Sequence, residues 1–276
     1  MSNSAEPFAG PTALEATASE ATAVEAPATG TWAAVLLGSL CIALVSGLAG
    51  LLQGPAVPDF SARPAGPERK AAFLSYFGAV VDAENARWAA ERKQIEGFAA
   101  PLSPRVRERL EKRAAFFGLP EGLTDDALLS GLLLHVDRVP RSLALAQAAK
   151  ESAWGTSRFA VEGHNYFGQR CYQKGCGMVP AARAPGAKFE VRRFRSPAAS
   201  VASYFNNING HREYAALRDY RAGQRAAGLT LSGIRAAERI TQYSERRQAY
   251  VDEIQSLIHF NDLEGPNPLA SEGPKP

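Results

Sequence analysis

The sequence predicts a mainly α-helical protein with one small, irregular β lobe, preceded by a single transmembrane helix and an amphipathic helical segment. Three observations carry that expectation. Apolar residues recur at helical spacing through most of the stretch from residue 68 to 260. Strict alternation is confined to Phe189-Glu190-Val191-Arg192-Arg193-Phe194, where a strand or hairpin is expected. Residues 32–52 form an uncharged run of 21 residues, about 31 Å long as a helix and so a match for one bilayer core.

Residues 1–31 hold four glutamates, no lysine or arginine, and much Ala, Thr, Ser and Pro. Such a segment buries too little apolar surface to offset the entropy of ordering, so a disordered acidic tail is expected. The run at 32–52 reads as a membrane anchor rather than a signal peptide: no basic flank precedes it, and it is longer than a signal's apolar region. Residues 53–67, with Pro55, Pro58, Pro64 and Pro67, read as an extended linker. Residues 68–119 read as a helical accessory segment. It has one long amphipathic helix over Glu68–Phe98, with Gly78 as its weak point, and a second, Arg- and Glu-rich helix over Pro101–Gly118. Residues 120–262 are expected to form the main domain, with helices over Asp125–Arg138, Ser142–Trp154, Ser196–Ile208 and Leu231–Phe260 and the β lobe between 170 and 195. Residues 263–276 are expected to be a flexible tail.

Charge is unevenly spread. Of 28 acidic residues, five (Glu6, Glu15, Glu20, Glu25 and Asp59) precede position 62, leaving 23 against all 31 Lys and Arg, a formal +8. A basic surface suits an anionic polymer. No nucleic-acid motif accompanies it, so nucleic acid is not the expected partner, and no metal or other cofactor is expected. Arg63, Arg69 and Lys70 follow the anchor while no cation precedes it. Taken alone, that bias places the C-terminal part in the cytoplasm.

The most informative stretch is Ala144–Gly168, ALAQAAKESAWGTSRFAVEGHNYFG. Ser142 is a plausible N-cap, the alanines are strong helix formers, and Gly155 is a natural C-terminal breaker. Glu151 therefore falls in the last turn, where the helix dipole opposes an ionised carboxylate, and Trp154 nearby would add desolvation. A carboxylic acid kept protonated near neutral pH is what a general acid for glycosidic cleavage requires. By itself such a glutamate is more often a solvated surface residue.

The wider string changes that balance. Ala146-Gln147-Ala148-Ala149-x-Glu151-Ser152-x-Trp154-Gly155-x-Ser157-x-Phe159-Ala160, followed by Asn165-x-Phe167-Gly168, resembles the glucosaminidase family of bacterial cell-wall hydrolases. Val136-Asp137-Arg138-Val139-Pro140, Cys171-x4-Cys176-Gly177 and Asn206-Asn207-Ile208-Asn209-x-His211 extend the likeness over about residues 120–262. The resemblance implies a lysozyme-like α+β fold and cleavage of β-1,4 bonds in the glycan strands of peptidoglycan, with Glu151 protonating the leaving oxygen. It also implies a catalytic domain in the periplasm, held to the inner membrane through residues 32–52, against the charge bias. A lytic transglycosylase or a non-catalytic wall-binding protein is the alternative.

The remaining site residues follow from the same likeness and from residue chemistry. Ordinary glycoside hydrolysis uses a second carboxylate. Between Cys171 and Phe194 the only acid is Glu190, with Glu162 as the other choice and the sugar's N-acetyl group as a third. Tyr243, in Ile240-Thr241-x-Tyr243-Ser244, resembles a family tyrosine that faces the cleft near the catalytic glutamate. Gln147, one turn before Glu151, and Trp154 are placed at the substrate. Asn165, Tyr166 and Phe167 suit one cleft wall, and Asn206, Asn209 and His211 the other, through amide hydrogen bonds and aromatic stacking on sugar. Cys171 and Cys176 read as a disulfide in an oxidising compartment, with a metal site that adds His164 or His211 as the competitor.

Overall fold

The computed structural model describes residues 56–265 apart from 182 and 185. The acidic tail 1–31, the span 32–52 and the end of the C-terminal tail lie outside the described residues. Among the described residues no helix is long and apolar enough to cross a membrane.

Helix α1, Pro67–Glu96, starts on Pro67 at its first position and buries Phe73, Phe77, Val81, Trp88 and Ile95. It runs unbroken through Gly78, whose bare Cα makes room for the Arg141 guanidinium; a Cβ there would clash with it. Asn85 clamps α1 to the chain beyond, its amide donating to Val139 O at 3.0 Å while its oxygen accepts from Val139 N at 2.9 Å. Helix α2, Pro104–Phe116, leans on α1 through the Arg113–Glu91 ion pair at 2.6 Å. Helix α3, Asp125–His135, is N-capped by Thr124 and ends three residues before the predicted Arg138.

Helix α4, Arg141–Glu151, is the hub. Every residue from Ser142 to Ala149 is buried. Helices α1, α8 (Gly233–Ala237) and α9 (Gln248–Phe260) all pack on it. A helix wrapped on all sides needs small residues where neighbours press in, and the run Ala144, Ala146, Ala148, Ala149 supplies them. The expected Ser142 cap is not formed. Pro140 holds the N-cap position, and the Ser142 hydroxyl donates instead to Glu264, at 2.8 Å. Glu264, assigned to the tail by sequence, also accepts from Ser232 Oγ and the Gly233 and Ile234 amides.

Helix α5, Arg158–Gly163, leads to the β lobe: β1 Arg170–Cys171, β2 Gly177–Met178 and β3 Glu190–Arg192, in antiparallel order β1-β3-β2. The predicted alternating strand is thus the short central one. Helix α6, Pro197–Gly210, is capped by Ser196 and packs on α1. Helix α7, Ala215–Ala226, escaped the sequence reading because its buried face carries Leu217, Arg218 and Arg221, so charge stands where apolar spacing would show. The single stretch expected over 231–260 is three pieces: α8, a 3₁₀ turn at Thr241–Tyr243, and α9. From Val57 onward these elements form one unit, so the accessory helices share the core of residues 120–262. The result is a mainly helical body with a three-stranded lobe, which fits a lysozyme-like α+β fold.

Candidate active site

Glu151 is the last residue of α4, half-buried, at the point where the hub helix leaves the core. The exit is tight. Ser152 donates to Ala148 O at 2.6 Å and accepts from Gly155 N at 2.9 Å, while Ala153, Trp154 and Gly155 all sit at positive φ, 51°, 58° and 80°. Two non-glycine residues in the left-handed region store strain of the kind that gathers at functional sites. Gly155 has a second constraint: a Cβ would stand 2.3 Å from the ring of Phe60, which is buried against Phe73 and Phe77. Phe60, ahead of α1, therefore wedges the turn behind the acid.

The carboxylate itself is asymmetric. Oε1 accepts from the Tyr250 hydroxyl at 2.8 Å. Oε2 faces Gly168, where an added Cβ would lie 3.4 Å away. Burial pushes the Glu151 pKa up, and the Tyr250 hydrogen bond and the Lys150 charge pull against it. Burial is the leading cause of the rise. Trp154 is turned elsewhere, edge-on to Phe73 at 5.6 Å with the Lys70 ammonium 5.1 Å from its ring centre. Lys150 pairs with Glu253, whose pKa its Arg246 and Lys150 partners hold down at about 2.

Several residues assigned to sugar contact are instead internal. Gln147 is fully buried, donating from Nε2 to the Tyr250 hydroxyl oxygen at 3.0 Å and accepting on Oε1 from the Tyr204 hydroxyl at 2.5 Å. Asn165 donates to Gln169 O and Arg192 O at 2.8 and 2.9 Å and accepts from the Phe167 and Gln169 amides, so its amide is spent bracing the loop. Tyr166 packs on Phe77 at 4.4 Å and Phe167 stacks on Tyr204 at 4.1 Å, both in the core. Asn209 bridges Asp137 O and the Arg221 guanidinium. His211 caps the 3₁₀ turn Arg212–Tyr214, and Asn206 is half-buried on α6. A Gly/Asn/aromatic loop looks like a cleft wall in sequence; here its side chains turn inward and only the exposed backbone at Gly168 reaches the acid.

Tyr243 is not the tyrosine on Glu151. Its hydroxyl donates to Phe167 O at 3.0 Å, and its ring stacks on Tyr250 at 5.5 Å, 14° from parallel. The motif that holds Tyr243 runs on to Tyr250-Val251-x-x-Ile254, but it gives Tyr250 no role of its own and does not point to Tyr204. The helical spacing from Tyr250 to Ile254 and Ile258 marked the buried face of α9, but not which buried polar group would meet it.

Glu190 has a different occupation from the one expected. Its two oxygens accept from Gly175 N at 3.0 Å and Gly177 N at 2.8 Å, which lowers its pKa. Cys171 and Cys176 are joined as a disulfide, and the Glu190 carboxylate lies within 4.8 Å of the sulfurs. Oxidised sulfurs offer no thiolate, so this trio does not suit a metal ion. Glu162 is exposed on α5.

A half-buried carboxylic acid with a raised pKa at a helix end, beside a small sheet on a helical body, fits a lysozyme-like architecture of the glycosidase class. The comparisons agree. Residues 133–263 match the glucosaminidase family model, described as mannosyl-glycoprotein endo-beta-N-acetylglucosaminidase. The chain is also 31% identical over 215 residues to Protein bax of Escherichia coli (strain K12), which covers 76% of this chain and 76% of that protein. The chain belongs to the glucosaminidase family, and its domain is of the glycosidase type, built to take a glycan. No solved structure gives a significant match.

Proposed function

We propose that the protein is a peptidoglycan hydrolase of endo-β-N-acetylglucosaminidase type, with Glu151 as general acid. The observation that carries this reading is the divided carboxylate: Oε1 is held by Tyr250, while Oε2 has no protein partner among the described residues and faces the open backbone of Gly168. Burial keeps the group protonated to higher pH than an ordinary carboxyl. The proton passes from Oε2 to the glycosidic oxygen as the C1–O bond breaks and its electron pair moves to that oxygen. Such assistance is typically worth about 10²–10⁴-fold in rate. Both Glu190 oxygens are engaged by amides, which favours the sugar's own N-acetyl oxygen over a second carboxylate as the group that meets the positive charge developing at C1.

The β lobe supports an anionic wall polymer as substrate. It exposes Arg170, Lys174, Lys188, Arg192, Arg193 and Arg195, whereas its one acid, Glu190, is buried. With the uncharged run at 32–52 as anchor, the reading places residues 53–276 on the wall side of the inner membrane. A reporter fused after residue 70 tests that placement, and a cytoplasmic signal would sink it.

The single free acid also suits a lytic transglycosylase, in which the sugar's own 6-hydroxyl closes on C1. Purified protein incubated with sacculi, followed by mass spectrometry of the products, separates the two: reducing ends for the hydrolase, 1,6-anhydro ends for the transglycosylase. Glu151→Gln is expected to lose at least about a hundredfold in rate. Equal clearing by wild type and this variant in a zymogram would overturn the assignment of Glu151. An inactive wild type that still binds sacculi would point to a wall-binding role.

A further inference from the structure

We propose that Gln147 and Tyr204 are positioning residues that fix the direction of the Tyr250 hydroxyl proton, and thereby which oxygen of Glu151 carries the catalytic proton. The proposal rests on Glu151 being the general acid and deepens that reading.

The geometry is an unbranched chain of three hydrogen bonds: Tyr204 Oη to Gln147 Oε1 at 2.5 Å, Gln147 Nε2 to Tyr250 Oη at 3.0 Å, and Tyr250 Oη to Glu151 Oε1 at 2.8 Å. Gln147 and Tyr204 are fully buried and Tyr250 nearly so, so no water competes for these groups. A carboxylate accepts and cannot donate, so beside ionised Glu151 the Tyr250 proton must point at Oε1. Tyr250 then has only lone pairs left for Gln147, which must present its NH₂. The amide oxygen is thereby turned to Tyr204, whose hydroxyl must donate. One proton order satisfies every group; the reversed amide would leave Gln147 and Tyr250 with opposed donors or acceptors.

Two consequences follow for the reaction. With Oε1 occupied by a donor in both protonation states, the proton that Glu151 gives up resides on Oε2, toward Gly168. After transfer, the same Tyr250 donor supports the carboxylate and opposes the burial that raised its pKa. The other groups around Glu151 are paired or buried. Lys150 on α4 and Glu253 on α9 are paired with each other, and burial keeps the Tyr204, Tyr243 and Tyr214 hydroxyls protonated.

The test uses Tyr250→Phe, Gln147→Leu, Gln147→Glu and the Gln147→Leu/Tyr250→Phe pair. Two readouts are the alkaline limb of kcat/KM on soluble glycan oligomers and the carboxyl-carbon NMR titration of Glu151 in the free protein. Removing the Tyr250 hydroxyl is expected to move the Glu151 titration upward, and Gln147→Leu to move it in the same direction by less. Turnover at the optimum falls on the order of tenfold through lost orientation. The double variant is expected to shift no further than Tyr250→Phe alone, because Gln147 acts only through Tyr250. A protonated carboxyl at 147 can donate to Tyr250 and accept from Tyr204. Gln147→Glu is therefore expected to behave as wild type at low pH and to depart from it once the new carboxyl ionises.

A Gln147→Leu variant that loses turnover or thermal stability with an unmoved Glu151 titration would reduce Gln147 to a packing residue. So would additive shifts in the double variant. The NMR titration needs no activity, so it judges the relay even if Glu151→Gln keeps full turnover and the catalytic reading fails.

Discussion

Gly168 shows how little of the site is side chain. Its φ of 65° lies in the left-handed region, and a methyl group there would stand 3.4 Å from Glu151 Oε2, in the space that the proposed mechanism gives to the leaving oxygen. Gly168→Ala is expected to cost about 1 kcal/mol of stability from the backbone alone. It is also expected to lower kcat/KM by roughly tenfold or more through misplacement of substrate. Denaturant unfolding and steady-state kinetics on one preparation measure both, and an activity loss no larger than the stability loss explains would remove Gly168 from the site. The residue scale is also where sequence reasoning fared least evenly. Glu151 stands out in the sequence by its position before a breaker and by its string, and the structure gives its carboxyl a raised pKa. Asn165, Tyr166 and Phe167 were assigned to sugar because amides and aromatics bind sugar, yet the same groups brace loops and fill cores. Nothing in their spacing distinguishes the two uses.

At the scale of elements, the β lobe is held by a carboxylate and a disulfide rather than by its sheet, whose strands are two or three residues long. Glu190 binds the two amides flanking Cys176 and is ionised more readily than an ordinary glutamate. A depressed folded pKa means that this contribution is present above the ordinary carboxylate range and lost as pH falls through the folded value. Protection of the Gly175 and Gly177 amides against exchange, relative to the free-chain rate at the same pH, is therefore expected to fall at acid pH in the wild type. Glu190→Gln is expected to show that low protection at neutral pH also, with little further change on acidification. Slow exchange in that variant would show that the disulfide alone closes the loop. The strand was foreseen from its alternation. The inward turn of its acid was not, because Glu190 faces loop amides whose position depends on the Cys171–Cys176 closure.

At the scale of the whole molecule, α1, α3, α6 and α7 meet at Asp137. This buried carboxylate pairs with Arg225 and lies 3.9 Å from Arg92. Arg221, fully buried beside it, donates to Arg138 O and Asn209 Oδ1, and burial lowers its pKa to about 10. Removing one member of such a set leaves the others uncompensated, so Asp137→Ala is expected to cost about 3–5 kcal/mol. Urea unfolding measures this, and a loss under about 1 kcal/mol would mean that the carbonyl acceptors suffice for the guanidinium groups. The same arrangement explains why α7 was missed: an arginine on a buried face breaks the apolar periodicity on which sequence reading depends.

By itself the sequence determined the mainly helical architecture, the alanine-rich helix that ends near Glu151 and the place of the small sheet. These depend on local periodicity, on breakers and on a motif that lies within one stretch of chain. Only the tertiary structure decided that Tyr250 rather than Tyr243 meets Glu151, that Gln147 points inward, and that Glu190 serves its own loop. Tyr250 is 99 positions from Glu151. Which buried hydroxyl reaches a carboxylate over that separation is set by how α9 seats on α4, and neither helix carries that register in its own pattern.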